Sequence, residues 1–250
     1  MEILRERLGK LIDELAADKH EAVKSRLATL ISVYPFNEYE FMISCLMGLG
    51  TLSLDEYYEM RDEYIARNMY LYIFEIGSPR GFGEQWAQGH LKELVPDLVK
   101  PTKKLETNYK GDYDFLLPNN GRLIRIEVKA SRAVNGESSE PLYVKALSFE
   151  SKHPFWMNFQ QIKPAHCDVF VWIAVWRDLI KYWVLSSNEV ATNKNYSKGQ
   201  HRGNVGEGQL HIRDSNILEF QEFEAKPNKL REVIVAAFER QRSGAVSDSR

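Results

Sequence analysis

The sequence predicts a mixed α/β (α+β) fold: a β-sheet flanked by helices, preceded by an N-terminal helical region. Three observations carry this reading. Apolar residues recur at helical spacing through the first third of the chain. Short β-branched and aromatic runs begin near residue 115. A last helical stripe closes the chain near residue 230. At 250 residues and 44% hydrophobic content, the chain can build one large core with an appendage. The expected division is a helical region over 1–76, a core over 77–240 and a frayed tail over 241–250.

The elements follow in order. Ile3, Leu4, Leu8, Leu11, Ile12 and Leu15 make one helical stripe, and Ala22, Val23, Leu27, Leu30 and Ile31 make a second that stops near Pro35. Asn37 can cap a third helix running through Cys45. Ser53 and Glu56 have capping-box spacing and open a long helix toward Ile76. Gly77, Ser78 and Pro79 break it, and a further helix fits 82–94 before Pro96. Leu116, Leu117, Ile124, Ile126 and Val128 belong to short strands, and a helix is expected over 155–162. Strands are expected over 169–175 and 180–185, with a turn at Trp176, Arg177 and Asp178. Residues 193–208 read as a polar loop, and Gln209-Leu210-His211-Ile212-Arg213 alternates like a strand. A closing helix spans 230–238.

Several function classes are excluded. The formal net charge of −2 is unlike that of a globally basic nucleic-acid protein. The N-terminus lacks an apolar run of signal-peptide length, and no stretch has the ~18 apolar residues of a membrane span. A cytoplasmic protein is expected, with Cys45 and Cys167 as reduced core thiols. No phosphate-binding GxxxxGK[ST] motif and no paired-histidine metal motif is present. The five tryptophans (Trp86, Trp156, Trp172, Trp176 and Trp183) mostly fall on apolar strand patterns and read as core.

Charge is nevertheless uneven. Residues 1–60 carry 6 basic and 11 acidic side chains, whereas 100–132 carry 8 basic and 4 acidic. The segment 193–213 sets Lys194, Lys198, Arg202 and Arg213 against Glu207 alone, with His201 and His211 besides. Two basic islands suggest a polyanion contact, with Lys103 and Lys104 in the first.

The chemistry concentrates in residues 111–131. Asn120-Gly121 is a strong two-residue hairpin signal. With those residues at the tip, paired positions sum to 241, so Asp114 opposes Glu127 and Asp112 opposes Lys129. A tip at Asn119-Asn120 would instead set Asp112 against Glu127. In either register one face carries Asp112, Asp114, Glu127 and Lys129, and the other carries Tyr113, Phe115, Leu117, Ile124, Ile126 and Val128. Opposed carboxylates repel, which destabilises a bare hairpin. A divalent cation reverses the sign: carboxylates ~5 Å apart can share one Mg²⁺, which completes its shell with water and phosphate oxygens. Lys129 on the same side can orient a water or balance transition-state charge. Metal-assisted phosphodiester hydrolysis fits these parts.

Asp114 with Glu127-Val128-Lys129 resembles the signature of the PD-(D/E)XK nuclease superfamily. The resemblance covers about residues 80–186, and the chain's size is similar to that of type II restriction endonucleases. It implies a restriction-endonuclease-like mixed sheet in αβββαβ order, Mg²⁺ as cofactor, and Asp114, Glu127 and Lys129 as catalytic residues. Asp112 stands as a second candidate metal ligand. Glu84, in the helix before the strand pair, stands where the family often places another acid near the metal. Tyr113 replaces the motif's proline, which leaves the choice between Asp112 and Asp114 open. The implied substrate is double-stranded DNA, cut by a homodimer whose cognate methyltransferase is a genetic rather than physical partner. The loop 193–204 supplies Lys194, Lys198, His201, Arg202 and Asn204 as candidate DNA contacts, followed by Gln209, His211 and Arg213. Ser131, Arg132 and Gln161 are candidates nearer the site. A structure-directed repair nuclease and a non-cleaving DNA-binding module are the competing readings.

Overall fold

The computed structural model describes residues 2–28, 35–107, 109–199 and 207–247. The chain forms two compact units, Met1–Leu71 and Tyr72–Arg250.

The first unit is helical: α1 (Glu2–Asp13), α2 (Ala17–Ala28), α3 (Pro35–Gly48) and α4 (Leu54–Arg67). Its core joins Tyr39, Ile43 and Leu46 of α3 to Met60 and Tyr64 of α4, with Leu8, Leu11 and Ile12 of α1 packed against them. The capping box is realised: Ser53 Oγ accepts the Glu56 N–H, and the Glu56 carboxylate accepts the Ser53 N–H at 2.8 Å. The helix expected to run on toward Ile76 instead stops at Arg67. Asn68 leaves helical geometry at φ −134°, and its side chain donates to the Tyr64 carbonyl at 2.6 Å. A short α5 (Leu71–Phe74) follows. Leu30 and Ile31, expected to extend the second helix, lie outside the described residues.

The second unit is a mixed α/β fold built on a five-stranded mixed sheet flanked by helices. A π-helical segment, Gly81–Ala87, runs into α6 (Gln88–Leu94). The strands are β1 (Phe115–Asn119), β2 (Arg122–Arg132), β3 (Val134–Asn135), β4 (Phe155–Ile162), β5 (Val169–Val175) and β6 (Ile180–Ser186). Then come α7 (Ser187–Ala191), β7 (Tyr196–Lys198), β8 (Gly208–Arg213), β9 (Glu224–Ala225) and α8 (Leu230–Ser247). The larger sheet has the order β1-β2-β5-β6-β9, parallel only between β2 and β5. A smaller antiparallel sheet has the order β3-β4-β8-β7.

All seven residues of β5 are buried, as a continuous apolar run at the centre of a covered sheet requires. Trp172 and Trp183 lie in the core with Phe159 and Leu210 of the smaller sheet, and the Phe159 and Trp172 rings lie 4.8 Å apart. Leu230, Ile234 and Ala237 bury one face of α8, which packs on β6 and β5. Cys45 and Cys167 are both free and buried.

Four local expectations are corrected. Residues 155–162 form strand β4, so β2 reaches its parallel partner β5 through strands rather than the helix of the αβββαβ order. The segment 193–208 is not all loop, because Tyr196–Lys198 pairs with β8. The closing helix, expected to end near Phe238, runs on to Ser247. The helix expected over 82–94 opens with π-helical turns.

Candidate active site

The hairpin β1–β2 has the expected register. Phe115 pairs with Ile126 and Asn119 with Arg122. Asn120 (φ 47°) and Gly121 (φ 76°) both take the positive φ that a type I′ turn demands. Tyr113, Phe115, Leu117, Ile124, Ile126 and Val128 are all buried, which turns Asp114, Glu127 and Lys129 to the opposite side.

Asp114 immediately precedes β1 and is tied down at both oxygens. Its N–H donates to the Ile126 carbonyl at 2.9 Å. Its Oδ2 accepts the Val128 N–H at 2.8 Å, and its Oδ1 accepts Nε2 of Gln88 at 2.5 Å. Gln88 Oε1 in turn accepts from Lys100 Nζ, which sits 4.2 Å from the Phe115 ring centroid. Lys129 Nζ meets Glu127 Oε1 at 2.6 Å, with the two side chains only 14% and 17% exposed.

Burial raises both carboxyls. Asp114 is pushed up by desolvation, against the opposing Val128 N–H and the charges of Lys129 and Lys100. Glu127 is pushed from 4.5 to about 7, first by desolvation and then by the Asp114 charge, with Lys129 opposing.

These groups open onto a cleft of about 720 Å³. Arg80, Glu84 and Gln88 line one side, and Trp156, Asn158 and Gln160 line another. Glu84 reaches the cleft but is exposed and paired with Arg80 at 2.6 Å. Asp112 does not oppose Lys129. It precedes the strand, follows Gly111 at φ 86°, and pairs with His166 at 3.3 Å on the cleft's edge. Among the described residues no group of three or more His, Cys, Asp or Glu could hold a metal. The donor set is therefore two carboxylates, Asp114 and Glu127. That fits Mg²⁺, which takes one or two carboxylates and fills its shell with water and phosphate oxygens.

The expected DNA contacts fall in different places. Ser131, Arg132 and Gln161 line the cleft. Ser131 is 7% exposed, and its Oγ accepts the Asn158 N–H at 3.0 Å. The Arg132 guanidinium donates to the carbonyls of Ile73 (3.1 Å) and Ile76 (2.8 Å) and stacks 4.0 Å from the Phe82 ring centroid. Burial lowers it to about 10. Lys103 and Lys104 are exposed on a turn and do not line the cleft. Lys194 pairs with Glu219 at 2.9 Å, and Lys198 borders a separate cavity. His201, Arg202 and Asn204 lie outside the described residues. Gln209, His211 and Arg213 share one face of β8, opposite buried Leu210 and Ile212.

The sequence reading missed Gln88, Lys100, Asn158 and Lys163. Gln88 had a usable signal, since it stands one helical turn after Glu84. Lys163 pairs with Glu207 at 3.0 Å.

No family model matches the chain, and no curated protein matches it. Among solved structures the chain is similar to one described as a bacterial homing endonuclease. The two are 13% identical with a TM-score of 0.35, over 69% of this chain and 100% of that one. At that score the likeness carries no weight for function, and the functional reading rests on the geometry of the cleft.

Proposed function

We propose that the chain is a Mg²⁺-dependent endonuclease that hydrolyses phosphodiester bonds in double-stranded DNA at specific sites, in the manner of type II restriction enzymes. One observation carries the reading: two desolvated carboxyls, Asp114 and Glu127, share a cleft with Lys129. Burying two acids together is costly unless a cation joins them, and both carboxyls line the same cleft.

Asp114 and Glu127 would hold the ion. Mg²⁺, when bound, supplies Lewis acidity at the phosphate and acidifies water. The chain's own residues do the rest. Gln88 and the Val128 N–H hold the Asp114 carboxylate in one orientation. Lys129, braced by Glu127, donates a hydrogen bond to the attacking water and to the charge that develops on the phosphate. The water oxygen bonds to phosphorus and releases its proton to solvent as one P–O ester bond breaks, and the departing alkoxide takes a proton from solvent. A second copy of the chain would cut the second strand, and a methyltransferase of the same specificity would protect the host's DNA.

The test is digestion of a large phage DNA with Mg²⁺, with EDTA, and with Lys129→Ala. Discrete bands that need both Mg²⁺ and Lys129 are expected. A Mg²⁺-dependent smear would favour a structure-directed or non-specific nuclease. Binding without cleavage on unmodified, methylated and branched DNA would sink the catalytic reading.

A further inference from the structure

The smaller sheet presents a second face to the cleft. On β4 and β8, Met157, Phe159, Leu210 and Ile212 are fully buried. Their neighbours Trp156, Asn158, Gln209, His211 and Arg213 therefore point the other way. The register sets Trp156 against Arg213 and Asn158 against His211. Trp156 and Asn158 line the same cleft as Asp114, Glu127 and Lys129.

We propose that this outward face of the β4–β8 ribbon enters the major groove of duplex DNA and reads base edges, with Asn158, Gln209 and Arg213 as specificity-determining side chains. The proposal rests on the nuclease reading above and deepens it by naming how that site would select its substrate.

Four features support it. A two-stranded antiparallel ribbon is among the elements the B-form major groove admits. Outward side chains recur about every 6.8 Å along a strand, close to two base-pair steps of about 3.4 Å. The face also has the composition of a reader rather than of a phosphate clamp. It carries amides and one guanidinium with no carboxylate, and neutral amides add little to phosphate affinity but match the N6/N7 edge of adenine. Arg213 is exposed and suits the O6/N7 edge of guanine.

The amides are also poorly satisfied in the free protein. Asn158 Nδ2 reaches Gln209 Oε1 only at 3.4 Å, and Asn158 Oδ1 is buried without a hydrogen-bond partner. A base edge can replace that long bond with two good ones, so little is lost when the amide turns outward. Trp156 is held beside them by its Nε1–H bond to His211 Nδ1 at 3.1 Å, which leaves its ring as an apolar surface for a thymine methyl.

The experiment uses the full chain carrying Lys129→Ala, so that DNA is bound and not cut. A duplex pool with a randomised segment is equilibrated with the protein, and the bound fraction is sequenced. Fluorescence anisotropy then gives the ratio of affinities for the enriched duplex and a scrambled one. Asn158→Ala and Gln209→Ala are each expected to lower that ratio about tenfold or more and to relax one or two positions of the motif while the rest hold. Arg213→Ala, on an exposed side chain, is expected to relax a guanine position and serves if an amide variant folds poorly. A-form RNA of the same sequence should not compete, because its major groove is too narrow for side chains.

An unenriched pool, a motif unchanged in all three variants, or equal competition by duplex RNA would each overturn the proposal. The two readings fail separately. Mg²⁺-dependent cutting with a motif indifferent to these variants removes the ribbon and leaves the nuclease. A motif that follows the variants, in a parent chain that never cuts, supports the ribbon and removes the nuclease.

Discussion

Glu127→Gln should make the metal-free protein more stable at alkaline pH while abolishing its activity. The Glu127 carboxyl lies at about 7 in the folded chain against an ordinary 4.5, chiefly because it is desolvated. Between those values the folded protein keeps a proton that the unfolded chain has released. Stability therefore rises as pH falls from 7 toward 4.5, and above 7 the folded state bears the full cost of the buried charge. At about 1.4 kcal/mol per pH unit, the gap corresponds to about 3 kcal/mol. Losing the 2.6 Å pair with Lys129 offsets part of the gain, since it strands a side chain only 14% exposed. The expected net gain is about 1–2 kcal/mol at pH 8, shrinking toward zero near pH 5. Urea unfolding at both pH values, in EDTA and then in Mg²⁺, measures it. Mg²⁺ should stabilise the parent and leave the variant unmoved, because only the parent retains both carboxylates. A variant no more stable than the parent at pH 8 in EDTA would refute the claim that a strained acid is stored at this site.

Gln88→Ala removes the side chain that holds Asp114 Oδ1. The Mg²⁺ concentration needed for half-maximal cleavage should rise about tenfold or more, read from rates across a Mg²⁺ titration. Gly208→Ala places a methyl against the Tyr196 ring on the neighbouring strand β7. It should cost about 1–3 kcal/mol in urea unfolding. His90 stacks between Trp86 and Tyr182, bonds the Tyr182 hydroxyl at 2.6 Å, and is lowered from 6.5 by burial. Its neutral form supports the fold above 6.5, and that support is lost as pH falls through the lower folded value. His90→Phe should flatten this part of the acid-denaturation profile, measured as urea midpoints between pH 7 and 5.

The hairpin and its registry were legible in the sequence because the information is local. Asn120-Gly121 fixes the turn, alternation fixes the face, and Asp114, Glu127 and Lys129 follow from both. Strand β4 was misread for a physical reason. Phe155, Phe159 and Ile162 stand at i, i+4 and i+7, which is helical spacing. In the strand the same spacing arises from an irregularity. The register shifts between Phe159 and Ile162, and Gln161 takes φ 56°, so both apolar residues return to the core although three positions separate them. The stop at Asn68 was hidden as well, because asparagine is neither of the strong breakers. The Gln88 and Lys100 contacts to the hairpin depend on how α6 and the segment after it pack, a long-range matter that periodicity does not encode.

The placement of the tryptophans gives the protein a built-in optical signal. Trp172, Trp176 and Trp183 are sealed in the core, whereas Trp156 stands at the cleft beside His211. Emission from the three sealed indoles, together with half-buried Trp86 stacked on Phe82 and His90 outside the cleft lining, reports on whether the fold is intact, and emission from Trp156 reports on what occupies the cleft. A single unlabelled sample can thus distinguish a ligand that arrives from a chain that comes apart, by whether the spectrum dims at fixed colour or shifts to the red.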